Sequence, residues 1–299
     1  MLEFAGLTKQ YDPGQTPAIA DVTFSLSPGE VVGLVGLNGA GKSTTLRVAA
    51  GVILPTSGHV AVDGRDIVGA KSQASELLGW VPEAPVHDAT SRIGPLLSYY
   101  AELCPKVPPA RPIELLETWG LGAFATRKYR TLSLGQRMRF AIACAELQDP
   151  RYYLLDEVFN GIDAEGIHAI RRWIASRQEA GSAVLLSSHQ LGEVQQLADR
   201  VVFLHQGKVV SIRSREQIAS VGSAALLLTL DRVDAAVLEL LKTFGSVSVR
   251  GNQLRVAGSR LDPAAINAAL VQGGRRVLRL EPEEAELESY FLELVKESA

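Results

Sequence analysis

The sequence has little of what builds disulfide frameworks, membrane spans or nucleic-acid-binding surfaces. Its two cysteines, Cys104 and Cys144, are too few for a disulfide framework in 299 residues and favour a reducing compartment. No apolar run reaches the roughly 20 residues of a membrane-spanning helix. The 30 basic and 33 acidic residues give a net charge of −3, whereas a nucleic-acid-binding chain is expected to carry a basic balance or patch. The composition predicts a soluble globular chain for which nucleic acid is not an expected partner.

A glycine-rich segment between an apolar run and a helical stretch is the most informative feature present. Residues 36–43 read Gly-Leu-Asn-Gly-Ala-Gly-Lys-Ser, which fits the pattern G-x-x-x-x-G-K-S/T, and they follow the apolar run Val31–Val35. In such a strand–loop–helix context the backbone N–H groups form an anion nest, and the helix N-terminus faces the same anion. Lys42 is expected to reach the β- and γ-phosphates, and Ser43 to bind Mg²⁺. The residues predicted to hold a nucleoside triphosphate are Gly36, Asn38, Gly39, Ala40, Gly41, Lys42, Ser43 and Thr44.

A second segment ends an apolar run with two carboxylates. Residues 152–155 are followed directly by Asp156 and Glu157. A buried strand that ends in this way delivers its carboxylates to the carboxyl edge of a parallel sheet, where α/β proteins bind ligands. One carboxylate suits Mg²⁺, and the second can orient a water for attack on the γ-phosphate. An acidic turn after a strand would look the same in isolation, but the phosphate loop upstream favours nucleotide hydrolysis.

The segment between these two motifs decides the class of nucleotide-binding protein. Residues 132–136 read Leu-Ser-Leu-Gly-Gln and precede a basic, alanine-rich stretch that is predicted to be helical. A hydroxyl, a bare backbone N–H and an amide at a helix start can form a second anion site, although these residues alone would also fit a simple helix cap. In this order and spacing the segment resembles the LSGGQ signature of the ATP-binding cassette (ABC) family, with Leu134 where the family more often has Gly. The resemblance implies that Ser133, Gly135 and Gln136 close over ATP on the phosphate loop of a partner subunit.

The resemblance also implies roles for single residues elsewhere. Tyr11 matches the aromatic residue that stacks on adenine, and Asp163 matches the loop that signals across the dimer. His189, at the end of an apolar run, matches the switch histidine that contacts the γ-phosphate. The remaining histidines match nothing in the family and are predicted to be surface or packing residues: His59, His87, His168 and His205.

The carboxylates take their roles from the same resemblance. Asp156 becomes a Mg²⁺ ligand together with Ser43, and Glu157 becomes the residue that aligns the attacking water. Glu83 stands where the family usually has a Gln that senses Mg²⁺ and the γ-phosphate. A carboxylate can reach the cation directly or through water but cannot donate to a phosphate oxygen. Glu83 is therefore predicted to act as a hinge and as a Mg²⁺ contact.

The resemblance covers about residues 1–220 and implies a P-loop NTPase core of the ABC type, with antiparallel β and helical subdomains. The helical subdomain is expected at about 88–145. After residue 221 the pattern predicts elements in the order β-α-β-β-α-β, which is typical of a small α+β ferredoxin-like domain over 221–299. Its last helix is predicted at 283–296. No residue of this domain suggests chemistry. A dimerisation or regulatory role is predicted, and the alternative is that the domain only covers the core.

Three functional classes share a phosphate loop of this kind: the ATPase subunit of a membrane transporter, a soluble ABC protein that acts on ribosomes or DNA, and an unrelated phosphate-loop ATPase or kinase. A soluble ABC protein that acts on ribosomes or DNA would be expected to carry two cassettes or a long coiled-coil insertion, and neither is present. An unrelated phosphate-loop ATPase or kinase would not carry the signature segment. The sequence therefore predicts an ATP- and Mg²⁺-dependent ATPase subunit of an ABC transporter, cytoplasmic and peripheral on the inner face of the cell membrane. The resemblance implies a dimer, expected to be a homodimer, and a separate integral membrane permease as partner. Export is expected because the Pro82-Glu83 loop and the tail resemble the drug- and antibiotic-export branch.

Overall fold

The computed structural model describes residues 1–104, 106–222, 225–250, 253–258, 261–282 and 291. The chain divides into two compact units, with the division between Arg213 and Ser214. The predicted boundary after residue 220 falls within the helix Arg215–Gly222, which belongs to the second unit.

The first unit alternates strands and helices along most of its length. In chain order they are β1 (Leu2–Lys9), β2 (Ile19–Leu26), β3 (Val31–Val35), α1 (Lys42–Ala49), β4 (Ser57–Val62), β5 (Arg65–Asp66), α2 (Lys71–Ser75), β6 (Leu78–Val81), α3 (Ile93–Glu102), α4 (Arg111–Thr118), α5 (Leu134–Ala145), β7 (Tyr152–Asp156), α6 (Ala164–Glu179), β8 (Ala183–Ser188), α7 (Leu191–Leu197), β9 (Arg200–His205) and β10 (Lys208–Ser214). Two short 3-10 helices, Gly122–Phe124 and Tyr129–Thr131, precede α5.

The strands of this unit form two sheets. The larger has the order β10-β9-β3-β8-β7-β6, and its neighbours from β9 to β6 are parallel. Every residue of β3, β7 and β8 is buried, as expected for parallel strands that are covered on both faces. The smaller sheet has the order β2-β1-β4-β5 and antiparallel pairs. The predicted α/β core with an antiparallel subdomain is confirmed.

The register of the parallel strands gathers their carboxyl ends at one edge of the larger sheet. Val35, the last residue of β3, pairs with Ser188 of β8. Asp156, the last residue of β7, pairs with Ser187 of the same strand. The phosphate loop, the carboxylate pair and the end of β8 therefore meet at this edge, which is where ligands bind to open α/β sheets.

Three helices, α3, α4 and α5, lie within the range predicted to be a helical subdomain. Leu97 of α3 and Phe140 of α5 are fully buried, and they belong to a hydrophobic cluster that also contains Leu155 of β7 and Ile174 of α6. The helical segment therefore shares its apolar core with the sheet. No helix in the described ranges is both long and apolar enough to cross a membrane.

The second unit is a four-stranded antiparallel sheet with two helices packed against it. Its elements are α8 (Arg215–Gly222), β11 (Ala225–Leu230), α9 (Ala235–Lys242), β12 (Ser246–Arg250), β13 (Gln253–Ala257), α10 (Pro263–Gln272) and β14 (Val277–Pro282). The strand order is β12-β13-β11-β14, and Leu228 and Leu254 pack with Leu241 and Leu270 in the core. From β11 to β14 the elements follow the predicted order, and the ferredoxin-like class stays a prediction. The predicted helix 283–296 lies outside the described residues, apart from Phe291.

Candidate nucleotide-binding site

The phosphate loop connects β3 to α1, and two glycines let it lie close to neighbouring backbone. A Cβ atom at Gly36 would lie 2.5 Å from the carbonyl oxygen of Leu204. Gly41 has a φ of +103°, and a Cβ atom there would lie 2.7 Å from the carbonyl oxygen of Ala18. Side chains at these two positions would push the loop away from its neighbours. No described side chain caps the N-terminus of α1, so its first N–H groups suit an anion.

The side chain of Lys42 is buried beneath this loop and is 6% exposed. Its Nζ donates to the carbonyl oxygen of Gly36 at 2.8 Å and forms an ion pair with Oε1 of Glu157 at 3.3 Å. Asn38 and Gly39 lie at the exposed tip of the loop. The loop therefore combines free helix N–H groups with one ammonium group, a combination that suits a polyphosphate.

The first carboxylate of the pair is tied to the loop through hydroxyl groups. Ser43 Oγ donates to Oδ1 of Asp156 at 3.0 Å. Ser187 Oγ, from the neighbouring strand β8, donates to the same oxygen at 2.6 Å. Asp156 is 1% exposed, and its Oδ2 is buried without a hydrogen-bond partner among the described residues.

These oxygens fit Mg²⁺, because nucleotide sites hold this ion with one or two carboxylates together with phosphate oxygens. Buried carboxylate oxygens are normally satisfied, and a cation would satisfy Oδ2 of Asp156. Burial raises the pKa of Asp156, the hydrogen bonds from Ser187 and Ser43 oppose this rise, and the charges of Glu83 and Glu157 add to it. A cation beside Ser43 would favour the charged form of this carboxylate.

The second carboxylate joins the loop lysine to the predicted switch histidine. Glu157 is 5% exposed and has a φ of +50°, a conformation that is uncommon for residues other than glycine and is often found at functional sites. Its N–H donates to Ser187 Oγ at 3.1 Å. Its Oε2 accepts from the backbone N–H of His189 at 3.2 Å and lies 2.8 Å from Nδ1 of the same residue. Lys42, Glu157 and His189 therefore form one chain of charged and polar groups.

The predicted adenine contact lies beside the start of α1. Tyr11 is 53% exposed, and its hydroxyl lies 3.4 Å from Oγ1 of Thr44. The ammonium group of Lys9 lies 5.3 Å from the centre of the ring. An exposed aromatic face next to the phosphate loop is an arrangement that suits stacking on a base. Glu83 is also exposed, two residues after β6.

The signature residues cap the helix that they begin. Ser133 Oγ accepts from the N–H of Gln136 at 3.2 Å, and Oε1 of Gln136 accepts from the N–H of Ser133 at 3.0 Å. This reciprocal pair is a capping box at the start of α5. Gly135 is open, since a Cβ atom there would meet Ile162 only at 3.9 Å. In the described part of the chain, the side-chain hydrogen bonds of Ser133 and Gln136 stay within this turn and do not join them to Lys42 or Glu157.

Asp163 also caps a helix, and its loop contacts the signature segment. Its Oδ1 accepts from the N–H of Gly166 at 2.8 Å at the start of α6. A Cβ atom at Gly161, which has a φ of +66°, would lie 2.6 Å from Cδ2 of Leu134. The departure from the LSGGQ pattern at Leu134 is therefore accommodated by a glycine in the loop that carries Asp163.

Sequence reasoning missed Ser187, which contacts both carboxylate residues. It named the run before His189 but gave no role to the serine within it. The role of Ser187 shows only in the register of the folded sheet, in which Ser187 lies opposite Asp156 on the neighbouring parallel strand, and the sequence alone does not show this register. The loop after Glu157 is also tied to this region, since Nε2 of Gln190 donates to Oδ1 of Asn160 at 3.2 Å.

Comparison with known proteins agrees with this geometry. The sequence model of the family described as ABC transporter matches residues 19–160. The chain is 29% identical to the bacitracin transport ATP-binding protein BcrA of Bacillus licheniformis over 99% of this chain and 97% of the relative. It is 30% identical to the uncharacterized ABC transporter ATP-binding protein YhcH of Bacillus subtilis (strain 168), over 100% of this chain and 97% of the relative.

A solved structure shares the fold. The dimeric structure of a bacterial ABC transporter cassette matches 72% of this chain and 99% of that chain, with 23% identity and a TM-score of 0.65.

Proposed function

Since the chain belongs to the ABC transporter family as an ATP-hydrolysing, ATP-binding subunit, we propose that it powers the export of peptide antibiotics or similar compounds through a separate membrane permease. Support for an antibiotic cargo comes from a relative that is named for bacitracin transport and matches along nearly its full length. Support for export comes from a relative in Bacillus subtilis (strain 168) that is named for linearmycin resistance and is 28% identical over 98% of each chain. The catalytic part of the proposal rests on two contacts: the ion pair of Lys42 with Glu157 at 3.3 Å and the hydrogen bond of Ser43 with Asp156 at 3.0 Å.

The proposed roles follow from these contacts. Lys42 and the N–H groups at the start of α1 bind the phosphates of ATP, and Ser43 and Asp156 would hold Mg²⁺. Bound Mg²⁺ would neutralise charge on the phosphoryl oxygens. Glu157 aligns the attacking water as general base, and His189, whose backbone N–H and ring both contact Glu157, contacts the γ-phosphate. Catalysis of this kind rests on positioning and electrostatics.

A second copy of the chain completes the site in this proposal. The open start of α5 at Ser133, Gly135 and Gln136 closes over ATP held by the partner subunit, and the adjacent loop at Asp163 reports the state of the interface. ATP drives this closure because the closed dimer makes contacts with ATP that the separate chains lack. The assembly is a homodimer bound to the permease at the inner face of the cell membrane. An ABC ATPase acting on ribosomes or nucleic acid remains the alternative, and no observation on this chain favours it.

The catalytic assignment is tested with Glu157→Gln. This change keeps Ser43 and Asp156, so ATP binding should remain. Turnover should fall about a hundredfold or more, the scale of a lost general base, and an ATP-bound dimer should accumulate in size-exclusion chromatography. Near wild-type turnover in Glu157→Gln would show that the general base lies elsewhere.

Two further variants separate nucleotide binding from closure. Lys42→Ala should lose nucleotide binding, measured by equilibrium titration with a fluorescent ATP analogue. Ser133→Arg should bind nucleotide as a monomer but lose hydrolysis, because the arginine obstructs the partner's ATP. Ser72→Arg, at an exposed serine on α2, is the matched control and should hydrolyse normally. Equal loss of binding in Lys42→Ala and Ser133→Arg would place the signature segment in its own chain's site.

The transport assignment is tested in cells of the source organism. Replacing the native gene with the Glu157→Gln form should increase sensitivity to bacitracin or a related peptide antibiotic, while Ser72→Arg should not. Affinity purification of the native chain from membranes should recover an integral membrane permease. Recovery with ribosomes and unchanged antibiotic sensitivity would favour the alternative.

A further inference from the structure

The loop that carries Glu83 is anchored to the helical segment by a set of rings. Tyr129 Oη donates to the carbonyl oxygen of Pro85 at 2.7 Å. The ring of His87 lies 5.1 Å, centre to centre, from Tyr129 and from Phe140, with both pairs edge to face. Nδ1 of His87 lies 3.1 Å from Oη of Tyr100. We refer to His87, Tyr100, Tyr129 and Phe140 as the histidine clasp.

The three rings that contact His87 come from three separate elements, and two of these rings are deeply buried. Tyr100 lies on α3, Tyr129 begins the 3-10 helix before α5, and Phe140 lies on α5 itself. Phe140 is fully buried and Tyr129 is 4% exposed. Burial lowers the pKa of His87, which favours the neutral ring in this apolar setting. The clasp therefore joins the Glu83 loop to a packed core.

The clasp continues to the signature segment through the backbone. The N–H of Tyr129 donates to the carbonyl oxygen of Ser91 at 2.9 Å, and the N–H of Arg130 donates to that of Ala89 at 3.1 Å. On α5, Arg137 places its guanidinium 5.5 Å from the centre of the Tyr129 ring. Its Nη2 donates to the carbonyl oxygen of Arg130 at 2.9 Å. The segment after Glu83 and the segment before Ser133 are therefore held together along their length.

We propose that His87 is a positioning residue, which ties the Glu83 loop to the helix that begins at Ser133 so that the two approach their nucleotides as one body. This inference rests on the proposed function, in which Ser133 serves the partner's ATP, and on the prediction from the sequence that Glu83 contacts the Mg²⁺ of the chain's own ATP. A packed pair of elements has discrete arrangements rather than a continuous range. Loosening the clasp lets Ser133 move independently of Glu83, so more ATP is needed to close the dimer.

The experiment measures closure separately from nucleotide binding. In a Glu157→Gln background, the ATP concentration for half-maximal dimerisation is measured by analytical ultracentrifugation. Adding His87→Ala should raise this concentration about fivefold or more, the lower end of ordinary coupling between sites. In a Ser133→Arg background, His87→Ala should leave the affinity of the monomer for ATP unchanged.

Conservative variants separate positioning from folding. His87→Phe keeps the ring contacts. Its half-maximal ATP concentration should therefore lie much closer to that of the Glu157→Gln background than to that of His87→Ala. Tyr129→Phe keeps its buried ring but loses the hydrogen bond to Pro85, and it should raise the half-maximal ATP concentration about two- to tenfold, the range for one net hydrogen bond. Phe124→Ala is the control for general loosening, since Phe124 packs against the same hydrophobic cluster but faces the Arg127 guanidinium at 4.6 Å.

A double-mutant cycle tests the connection itself. Glu83→Ala and His87→Ala should be non-additive in their effect on dimerisation, because both disrupt the same connection. Additive effects, no effect of Tyr129→Phe, or an equal shift in Phe124→Ala would overturn the inference. If Glu157→Gln alone fails to dimerise with ATP, the proposed function fails instead, so the two failures are distinguishable.

Discussion

Replacing Ser187 with alanine removes two hydrogen bonds at the carboxyl edge of the larger sheet. Ser187 Oγ donates to Oδ1 of Asp156 at 2.6 Å and accepts from the N–H of Glu157 at 3.1 Å. The side chain is fully buried, so both hydrogen bonds lie in the protein interior. The same N–H of Glu157 also donates to the carbonyl oxygen of Ser187 at 3.1 Å, and this contact survives the change.

The stability loss in Ser187→Ala should come mainly from Asp156. A hydrogen bond to a charged group contributes about 1.5–3 kcal/mol, whereas the N–H of Glu157 keeps a partner and adds little. The free energy of unfolding should therefore fall by about 2 kcal/mol. For a domain of this size, 1 kcal/mol moves the melting temperature by about 2–4 °C, so we expect a decrease of about 4–8 °C.

The functional loss in Ser187→Ala should exceed what the stability loss explains. Groups that orient a metal ligand typically change metal affinity or activity 10- to 100-fold when removed. We therefore expect the Mg²⁺ concentration for half-maximal ATP hydrolysis to rise about tenfold or more. The assay is a Mg²⁺ titration of steady-state ATPase activity at 20 °C, well below the melting temperature of the variant.

Ser188→Ala is the matched control for this prediction. Ser188 is 1% exposed, and its Oγ accepts from the N–H of Gln190 at 2.9 Å, on the same strand but away from the carboxylate. Ser188→Ala should lower the melting temperature but leave the Mg²⁺ concentration for half-maximal ATP hydrolysis unchanged. A normal Mg²⁺ requirement in Ser187→Ala, or an equal change in Ser188→Ala, would refute the assignment of Ser187 to the Mg²⁺ site.

Three other predictions use the same assays. Tyr11→Ala should raise the KM for ATP about fivefold or more, because stacking of a base on an aromatic side chain contributes about 1–3 kcal/mol. Tyr11→Phe should retain the wild-type KM, and equal KM values in both variants would contradict the stacking role. Glu83→Gln should keep most activity, and Glu83→Ala should need more Mg²⁺ in the same titration; wild-type behaviour of Glu83→Ala would remove Glu83 from the cation site. Gly161→Ala should be destabilised by about 1–2 kcal/mol of left-handed backbone strain, in addition to its clash with Leu134. In thermal unfolding, adding Leu134→Gly to this variant should restore part of the lost stability. An absence of rescue would mean that the clash is relieved some other way.

Much of the fold and the layout of the candidate site could be predicted from short, local patterns. The runs 31–35 and 152–155 contain no charged residue, and the first leads into the glycine-rich phosphate loop while the second leads directly into Asp156. A fully buried parallel strand produces this pattern because both of its faces are covered. The chemistry therefore collects at the strand ends, where a single stretch of sequence reveals it. The assignments of Lys42, Asp156 and Glu157 are local in this sense, and their roles remain predictions.

The contribution of Ser187 could not be predicted in this way. Its role depends on β8 lying beside β7 in a register that sets Ser187 opposite Asp156. A shift of one residue along the parallel pair would turn its hydroxyl to the other face of the sheet. The sequence gives the two runs but not their neighbour relation, and a serine near a strand end carries no signal by itself. The left-handed φ of Glu157 is hidden for the same reason, since it depends on the packing around the turn.

The two histidines with roles in these proposals show where local reasoning stops. His189 follows a buried run, and its place at the end of that run matched the switch histidine of the family that the sequence resembles. His87 follows no such run, and its identity alone allowed only a surface or packing role. Its partners Tyr100, Tyr129 and Phe140 lie 13, 42 and 53 residues further along the chain, on three elements that meet only in the folded protein. A residue that joins elements is therefore visible only after their packing is known, whereas a residue that ends a strand can be recognised before it.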